Sequence, residues 1–118
     1  MTPTVCLVPA PTIGYPRAGG HLWEYLNWAL ALRAIGCRVI WLEGVDLDEG
    51  DATVAGRRRR RGGDARTCVA SLKARLGAYG LADGLALYGM NGAALPADLA
   101  DGCLDLEAAA DADLLLNL

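Results

Sequence analysis

The sequence predicts an α/β fold in which about four strands form a doubly wound, mostly parallel sheet. Short apolar runs rich in β-forming residues alternate with longer segments of helical periodicity along the 118 residues. The turn between the first helix and the second strand is as short as such connections in α/β units usually are, and no internal repeat explains the spacing. We therefore expect the element order β-α-β-α-β-α-β.

The first half of the chain predicts one βαβ unit. Residues 4–10, TVCLVPA, form an apolar run that prolines end, as expected for a strand buried on both faces. Residues 21–35 are mostly apolar and predict a largely buried helix, which Gly36 ends. Residues 37–44, CRVIWLEG, predict a second, central strand. A right-handed crossover would place the loop after the first strand and the end of the second strand on the same edge of the sheet.

The middle of the chain predicts a long loop and then a helix. Residues 46–63 are polar, contain glycine and include five consecutive arginines at 57–61, so we expect an exposed loop. A helix resumes near Ala65, and its apolar residues recur at helical spacing on one face. That face comprises Val69, Leu72 and Leu76.

The last third predicts two strands with a short helix between them. Residues 84–90, GLALYGM, read as a third strand, residues 98–110 as the helix, and residues 112–118, ADLLLNL, as a fourth strand. No turn or covering element follows this apolar strand, so one edge or face of the sheet would meet water. We therefore expect residues 1–118 to be a single, incomplete domain, the N-terminal part of a longer chain.

Composition narrows the class of protein. With 53% hydrophobic residues and 21% charged residues the chain can bury a core, and its net charge of -3 gives no reason to expect nucleic acid as a partner. No apolar run is long enough to span a membrane, and the N-terminus lacks the basic start of a signal peptide, so we expect a cytoplasmic protein without a transmembrane segment. The four cysteines form no CxxC pair, so we expect reduced core or half-buried thiols and no metal site.

The loop between the first strand and the first helix is the candidate anion-binding site. Gly19 and Gly20 would let a ligand approach the backbone, and the free N–H groups at the helix start favour an anion such as a diphosphate. Arg17 and His21 could add charge or hydrogen-bond donors. The alternative is that the glycines only satisfy the geometry of a turn and that His21 is an ordinary surface residue.

Two sharper phosphate motifs are absent. The stretch from Gly14 to Gly20 lacks the Lys and Ser/Thr of a P-loop, and the G-x-G-x-x-G dinucleotide fingerprint does not occur. Glu43 nevertheless stands at the end of the second strand, where a ribose-binding acid would lie. The alternative for Glu43 is a solvated carboxylate at a strand end, or the partner of a nearby arginine.

Other catalytic patterns are incomplete. The chain has one histidine and no G-x-S-x-G, so a Ser/His/Asp hydrolase lacks its parts, and no catalytic base can be named. The acidic residues between 46 and 51 predict a solvated turn rather than a calcium loop. Arginines 57–61 predict a solvated loop, with binding of phosphate, RNA or an acidic membrane surface as the alternative. We expect Trp23, Trp28 and Trp41 to pack in the core.

A family resemblance adds to these patterns. Residues 19–43, GGHLWEYLNWALALRAIGCRVIWLE, together with residues 112–118 resemble the N-terminal Rossmann-like domain of GT-B glycosyltransferases, especially the family-4-like group. The resemblance implies that Gly19 and Gly20 lie at an interdomain cleft against the diphosphate of the donor or against the acceptor, and that Asn117 lines the same cleft. It also implies a nucleotide sugar as donor substrate, an acceptor that the sequence does not name, and no other cofactor.

The chain departs from that family in two respects. The arginine-containing loop over residues 46–63 has no counterpart in the family, and the second departure is more serious. The C-terminal domain, which carries most of the nucleotide contacts in these enzymes, has no counterpart in the 118 residues. We therefore expect this chain alone to turn over no substrate. Two alternatives stay open: a non-enzymatic Rossmann-like module that binds a nucleotide or an interaction partner, and a nicotinamide-dependent enzyme that uses Glu43.

Overall fold

A computed structural model describes residues 2–9, 19–45, 65–92 and 94–118 of the chain. Four strands and three α-helices alternate along these segments in the predicted order. They are β1 (Thr4–Val8), α1 (Gly19–Ala34), β2 (Arg38–Val45), α2 (Ala65–Ala78), β3 (Leu85–Gly89), α3 (Leu106–Ala110) and β4 (Leu114–Asn117). Two 3₁₀ turns, Ala82–Gly84 and Met90–Gly92, flank β3. The arginine-containing loop predicted over residues 46–63 lies outside the described residues.

The four strands form one sheet in the order β3-β2-β1-β4, and all three strand pairs are parallel. Thr4 of β1 is aligned with Arg38 of β2, and Val5 of β1 is aligned with Leu114 of β4. Continuous apolar runs favour parallel pairing because helices cover both faces of such a sheet. The predicted α/β, doubly wound, mostly parallel fold is therefore confirmed, and the sheet is wholly parallel among the described strands.

The helices lie on both sides of the sheet. Alternate strand residues that include Leu7, Trp41 and Leu85 pack with α1 and α2 into the larger core. The intervening residues, among them Cys6 and Ile40, pack with Ala109 of α3 into a smaller core on the opposite face. Because side chains alternate along a strand, β1, β2 and β3 contribute to both cores, whereas β4 packs against the larger core through Leu116.

Helix α1 begins and ends at glycines. It starts at Gly19, two residues before the predicted start, so both glycines of the predicted loop belong to the first turn. At its other end Gly36 adopts a φ of 101°, and the backbone N–H of Cys37 donates to the carbonyl oxygen of Leu32. A left-handed residue at this point is the usual glycine termination of a helix, so the predicted stop at Gly36 is confirmed.

The prediction that α1 is largely buried is wrong. Its inner face, which includes Tyr25 and Leu26, is buried against the sheet, but Trp23 and Trp28 are 51% and 48% exposed. Of the three tryptophans predicted to lie in the core, only Trp41 on β2 does, at 1% exposure. The sequence of α1 is apolar on nearly every face, and such a pattern predicts burial on all sides. Here the described part of the chain covers just one side.

The helix predicted over residues 98–110 is shorter than expected. It spans only Leu106–Ala110, and the Asp105 side chain accepts a hydrogen bond from the backbone N–H of Ala108 as its N-cap. The preceding residue, Leu104, instead forms a parallel bridge with Ala86 at the outer edge of β3. Pairing with the sheet therefore outweighs helix formation before Asp105.

Candidate functional site

The strand order reverses between β1 and β4, and we call the region at the carboxyl ends of these two strands the crevice. From β1 the chain crosses to β2 and then to β3 on one side, whereas β4 returns to the other side of β1. Ligands of open α/β sheets bind at such a switch point, because the loops after the two strands diverge there. Val8 of β1 is aligned with Asn117 of β4, and the backbone N–H of Leu118 donates to the carbonyl oxygen of Val8 at 3.0 Å.

The start of α1 lies at this same edge of the sheet. The other end of the helix connects through Gly36 to the first residue of β2, and the N–H of Arg38 bonds to the carbonyl oxygen of Pro3 just before β1. The end of α1 therefore lies at the amino edge of the strands, and its start with Gly19 and Gly20 lies toward their carboxyl edge. An α-helix start carries backbone N–H groups without helical partners and a partial positive charge.

The predicted site residues fall into three groups: those at the crevice, those whose side chains lie outside the described residues, and Glu43, which is buried. Gly19 and Gly20 form the first turn of α1, and Asn117 is exposed at the end of β4. These three belong to the two elements whose ends border the crevice. The backbone of His21 belongs to the same turn of α1, but its side chain lies outside the described residues, and so does the whole of Arg17.

Glu43 is a buried residue of β2. It is 1% exposed, and its Oε1 accepts a hydrogen bond of 3.5 Å from the indole Nε1 of Trp41. Both side chains are on the face of the sheet that α1 and α2 cover, because residues two apart on a strand share a face. The alternative that Glu43 is a solvated carboxylate is therefore wrong. Its predicted role at a ribose stays a prediction.

A close backbone approach at the carboxyl end of β2 was missed by the sequence analysis. A Cβ atom on Gly44 would lie 2.8 Å from ring carbon Cζ of Tyr88 and 3.1 Å from Cε of Met90. The Tyr88 ring of β3 therefore lies across the glycine at the same edge of the sheet as the crevice. The signal available in the sequence was a glycine inside an otherwise apolar strand, which often marks such an approach.

The cysteine thiols are all at least partly buried. All four cysteines are free, as predicted, with Cys6 and Cys68 buried and Cys37 and Cys103 half-buried. Burial raises the pKa of the Cys6 thiol, and burial likewise raises the pKa of Cys103, although the ammonium group of Lys73 opposes the second shift. A thiol with a raised pKa is a poor nucleophile near neutral pH.

The described segments contain no group of three or more His, Cys, Asp or Glu side chains that could hold a metal ion. They also contain no helix that is long and apolar enough to cross a membrane. No known protein family, curated protein or solved structure matches this chain.

Proposed function

We propose that the chain binds the diphosphate of a nucleotide sugar in the crevice between β1 and β4 and forms the N-terminal part of a glycosyltransferase. The observation that supports this proposal is the glycine start of α1 at the switch point of a parallel sheet in the order β3-β2-β1-β4. The sequence resemblance to GT-B enzymes supplies the donor class.

The chemistry expected at the crevice is electrostatic. The N–H groups of Gly19, Gly20 and His21 belong to the first turn of α1 and have no helical acceptors, so they can donate to phosphate oxygens. Asn117 brings an amide that can donate to a hydroxyl or phosphate group from the end of β4. Stabilising a departing diphosphate in this way would lower the barrier to glycosyl transfer.

The proposed reaction needs the residues of a second domain in addition to those of this chain. Transfer requires a donor and an acceptor held together in the correct orientation, and in GT-B enzymes a second domain supplies most nucleotide contacts. We assign no catalytic base, and we propose a cytoplasmic location for the protein.

The competing function is a non-enzymatic nucleotide-binding module that uses the same crevice. It is favoured by the lack of a catalytic side-chain cluster among the described residues at the crevice, where glycines, Asn117 and apolar strand ends predominate. A nicotinamide-dependent enzyme is the third candidate, and it requires that Glu43 contact the ribose.

Calorimetric titration of the chain with UDP, GDP, UDP-glucose, GDP-mannose and NAD tests the proposal. We expect a nucleoside diphosphate or a nucleotide sugar to bind. Its Kd should be lower than the Kd of the corresponding nucleoside, which lacks the diphosphate. Gly20→Asp should abolish binding, because its carboxylate would occupy the anion position, while an acidic residue in the first turn supports helix formation.

Asn27→Asp is the matched control. It adds the same charge to an exposed position in the middle of α1, away from the crevice, and should leave binding unchanged. No binding of any nucleotide by the folded chain would contradict the proposal. Binding of NAD that is lost in Glu43→Ala, while circular dichroism shows this variant to be folded, would favour the nicotinamide enzyme. Binding without transfer, even after a second domain is supplied, would favour the module.

A further inference from the structure

A small pocket, which we call the helix pocket, lies between helices α1 and α2. It has a volume of about 260 Å³ and is open to solvent. A closed apolar cavity of about 150 Å³ can hold benzene, so the helix pocket has room for one aromatic ring with a short polar substituent. Its walls are side chains of α1, of α2 and of the residue that follows α2. They are Leu22, Trp23, Leu26, Arg75, Ala78 and Tyr79.

Two aromatic rings form a corner of the helix pocket. The ring centroids of Trp23 and Tyr79 are 5.6 Å apart, and the ring planes are inclined by 73°. Edge-to-face contacts of this kind are favourable, and an aromatic ligand can extend them. Arg33 fixes the corner, because its Nη1 donates to the carbonyl oxygen of Tyr79 at 2.6 Å and so joins the end of α1 to the end of α2. Since Trp23 is half exposed, a ligand in the corner would also remove apolar surface from water.

The charge at the helix pocket is positive. Arg75 lines the pocket and makes no hydrogen bond or ion pair with the residues that the structure describes. Helix α2 contains no acidic residue, and the only acid of α1 is Glu24. Glu24 is two residues from both Leu22 and Leu26, so it lies on the opposite side of α1 from the pocket. A guanidinium group without a partner beside apolar walls fits a carboxylate, which it can bind through two parallel hydrogen bonds.

We propose that the helix pocket binds a small aromatic carboxylate. The ring of the ligand packs against Trp23, Tyr79 and the two buried leucines, and its carboxylate accepts hydrogen bonds from the Arg75 guanidinium. A neutral aromatic molecule keeps the first contact and loses the charge of the second, whereas an aromatic cation is repelled by Arg75. The inference rests on these side chains and not on the proposed nucleotide site, which uses backbone N–H groups at the start of α1.

Titration of the chain with phenylacetate, phenylacetamide and benzylammonium, followed by NMR spectroscopy, tests the class of ligand. Phenylacetate should shift the indole N–H signal of Trp23. Its Kd should be about fivefold lower than that of phenylacetamide, which has nearly the same size and no charge. The difference should decrease at high salt, because dissolved ions screen the guanidinium. Benzylammonium should bind more weakly than either.

Two pairs of variants locate the contact. Trp23→Ala removes one wall and should raise the Kd of phenylacetate about tenfold, whereas Trp28→Ala is its control, because Trp28 is 48% exposed on the same helix and does not line the pocket. Arg75→Gln should raise the Kd of phenylacetate to that of phenylacetamide and leave the latter unchanged. Arg38→Gln is the control for charge, because Arg38 is exposed and shares a face of β2 with Ile40, on the side of the sheet away from α1 and α2.

Three results would overturn the proposal. The first is that the folded chain binds no phenylacetate even at millimolar concentration. The second is that benzylammonium binds as tightly as phenylacetate. The third is an equal effect of Trp23→Ala and Trp28→Ala, or of Arg75→Gln and Arg38→Gln. The comparison of the three ligands needs no substitution, so it tests the proposal even if a variant fails to fold.

Discussion

The indole Nε1 of Trp41 donates a hydrogen bond to Oε1 of Glu43 over 3.5 Å inside the core between the sheet and its two larger helices. Both residues are 1% exposed. Burying a carboxylate is unfavourable unless its oxygens accept hydrogen bonds, and β2 supplies one donor two residues away on the same face. Glu43 has a further interaction partner as well. Glu43 is therefore a buried acid that takes part in the packing of β2 against helices α1 and α2.

Glu43→Ala should lower the free energy of unfolding by about 2–4 kcal/mol. The substitution leaves the Trp41 N–H without its acceptor and opens a cavity in the core. Glu43→Gln keeps an acceptor oxygen of similar size and should cost less. Urea denaturation followed by circular dichroism measures both. Glu24→Ala, at an exposed position of α1, is the control, and equal unfolding midpoints for Glu43→Ala and Glu24→Ala would contradict the prediction.

Gly84→Ala should destabilise the protein more than Gly44→Ala. A Cβ on Gly84 would clash with the carbonyl oxygen of Val39, a backbone atom that can move only if β2 moves. A Cβ on Gly44 would instead meet the Tyr88 side chain at 2.8 Å, and this ring can rotate away. We expect losses of about 3 kcal/mol or more and about 1–2 kcal/mol, respectively. The reverse order in urea denaturation would show that Tyr88 is held more rigidly than the backbone of β2.

The fold could be predicted because its strands are signalled by local sequence. Each of the four apolar runs is short and bounded by Pro, Gly or polar residues, so its boundaries could be placed within two or three residues. The helix over 98–110 was overestimated because the pairing of Leu104 with β3 is a long-range event. No local pattern distinguishes a helical leucine from one that pairs with a sheet edge.

The burial of Glu43 and the exposure of Trp23 and Trp28 were also harder to predict, because both depend on packing between elements that are distant in the sequence. A polar residue at the end of a strand suggests solvent contact, and only the packing of α1 and α2 over β2 shows that Glu43 is buried. Trp23 and Trp28 occupy an almost wholly apolar helix, and the sequence does not say how many sides of it other elements cover. The positions of Gly19, Gly20 and Asn117 followed from topology, since strand ends and helix starts share one edge of a parallel sheet.

Asp113→Ala should loosen β4 from β1. The N–H of Thr4 donates to Asp113 Oδ2 at 2.8 Å, and the N–H of Asp113 donates to the carbonyl oxygen of Thr4 at 2.8 Å. This reciprocal pair fixes the first residues of the two strands in register. We expect a loss of about 1 kcal/mol in the free energy of unfolding and faster hydrogen exchange in β4.

Asp111→Ala is the control for that substitution. It removes an acid of equal charge two residues earlier, at an exposed position whose side chain makes no hydrogen bond to the part of the chain that the structure describes. Its β4 exchange rates should match those of the unmodified protein. If Asp111→Ala accelerates exchange as much as Asp113→Ala does, the effect comes from charge and not from the hydrogen bond.

The Cys6 thiol should make the protein less stable as the pH rises above about 8.5. Burial raises the pKa of Cys6 in the folded state, so the unfolded chain loses this proton at a lower pH than the folded chain does. The stabilising effect is therefore complete below the ordinary thiol pKa and is lost as the pH rises through the folded value.

Urea denaturation at a series of pH values from 7 to 10.5 measures this dependence. Cys6→Ala removes the titrating group, so its free energy of unfolding should fall less steeply with pH, by at most about 1.4 kcal/mol per pH unit. Every other titratable group is common to the two proteins, so the difference between the two slopes isolates Cys6. In the folded protein Cys6 should also react with a thiol reagent far more slowly than in urea. Parallel stability curves for the two proteins would mean that the Cys6 thiol ionises as readily in the core of β1 as in the unfolded chain.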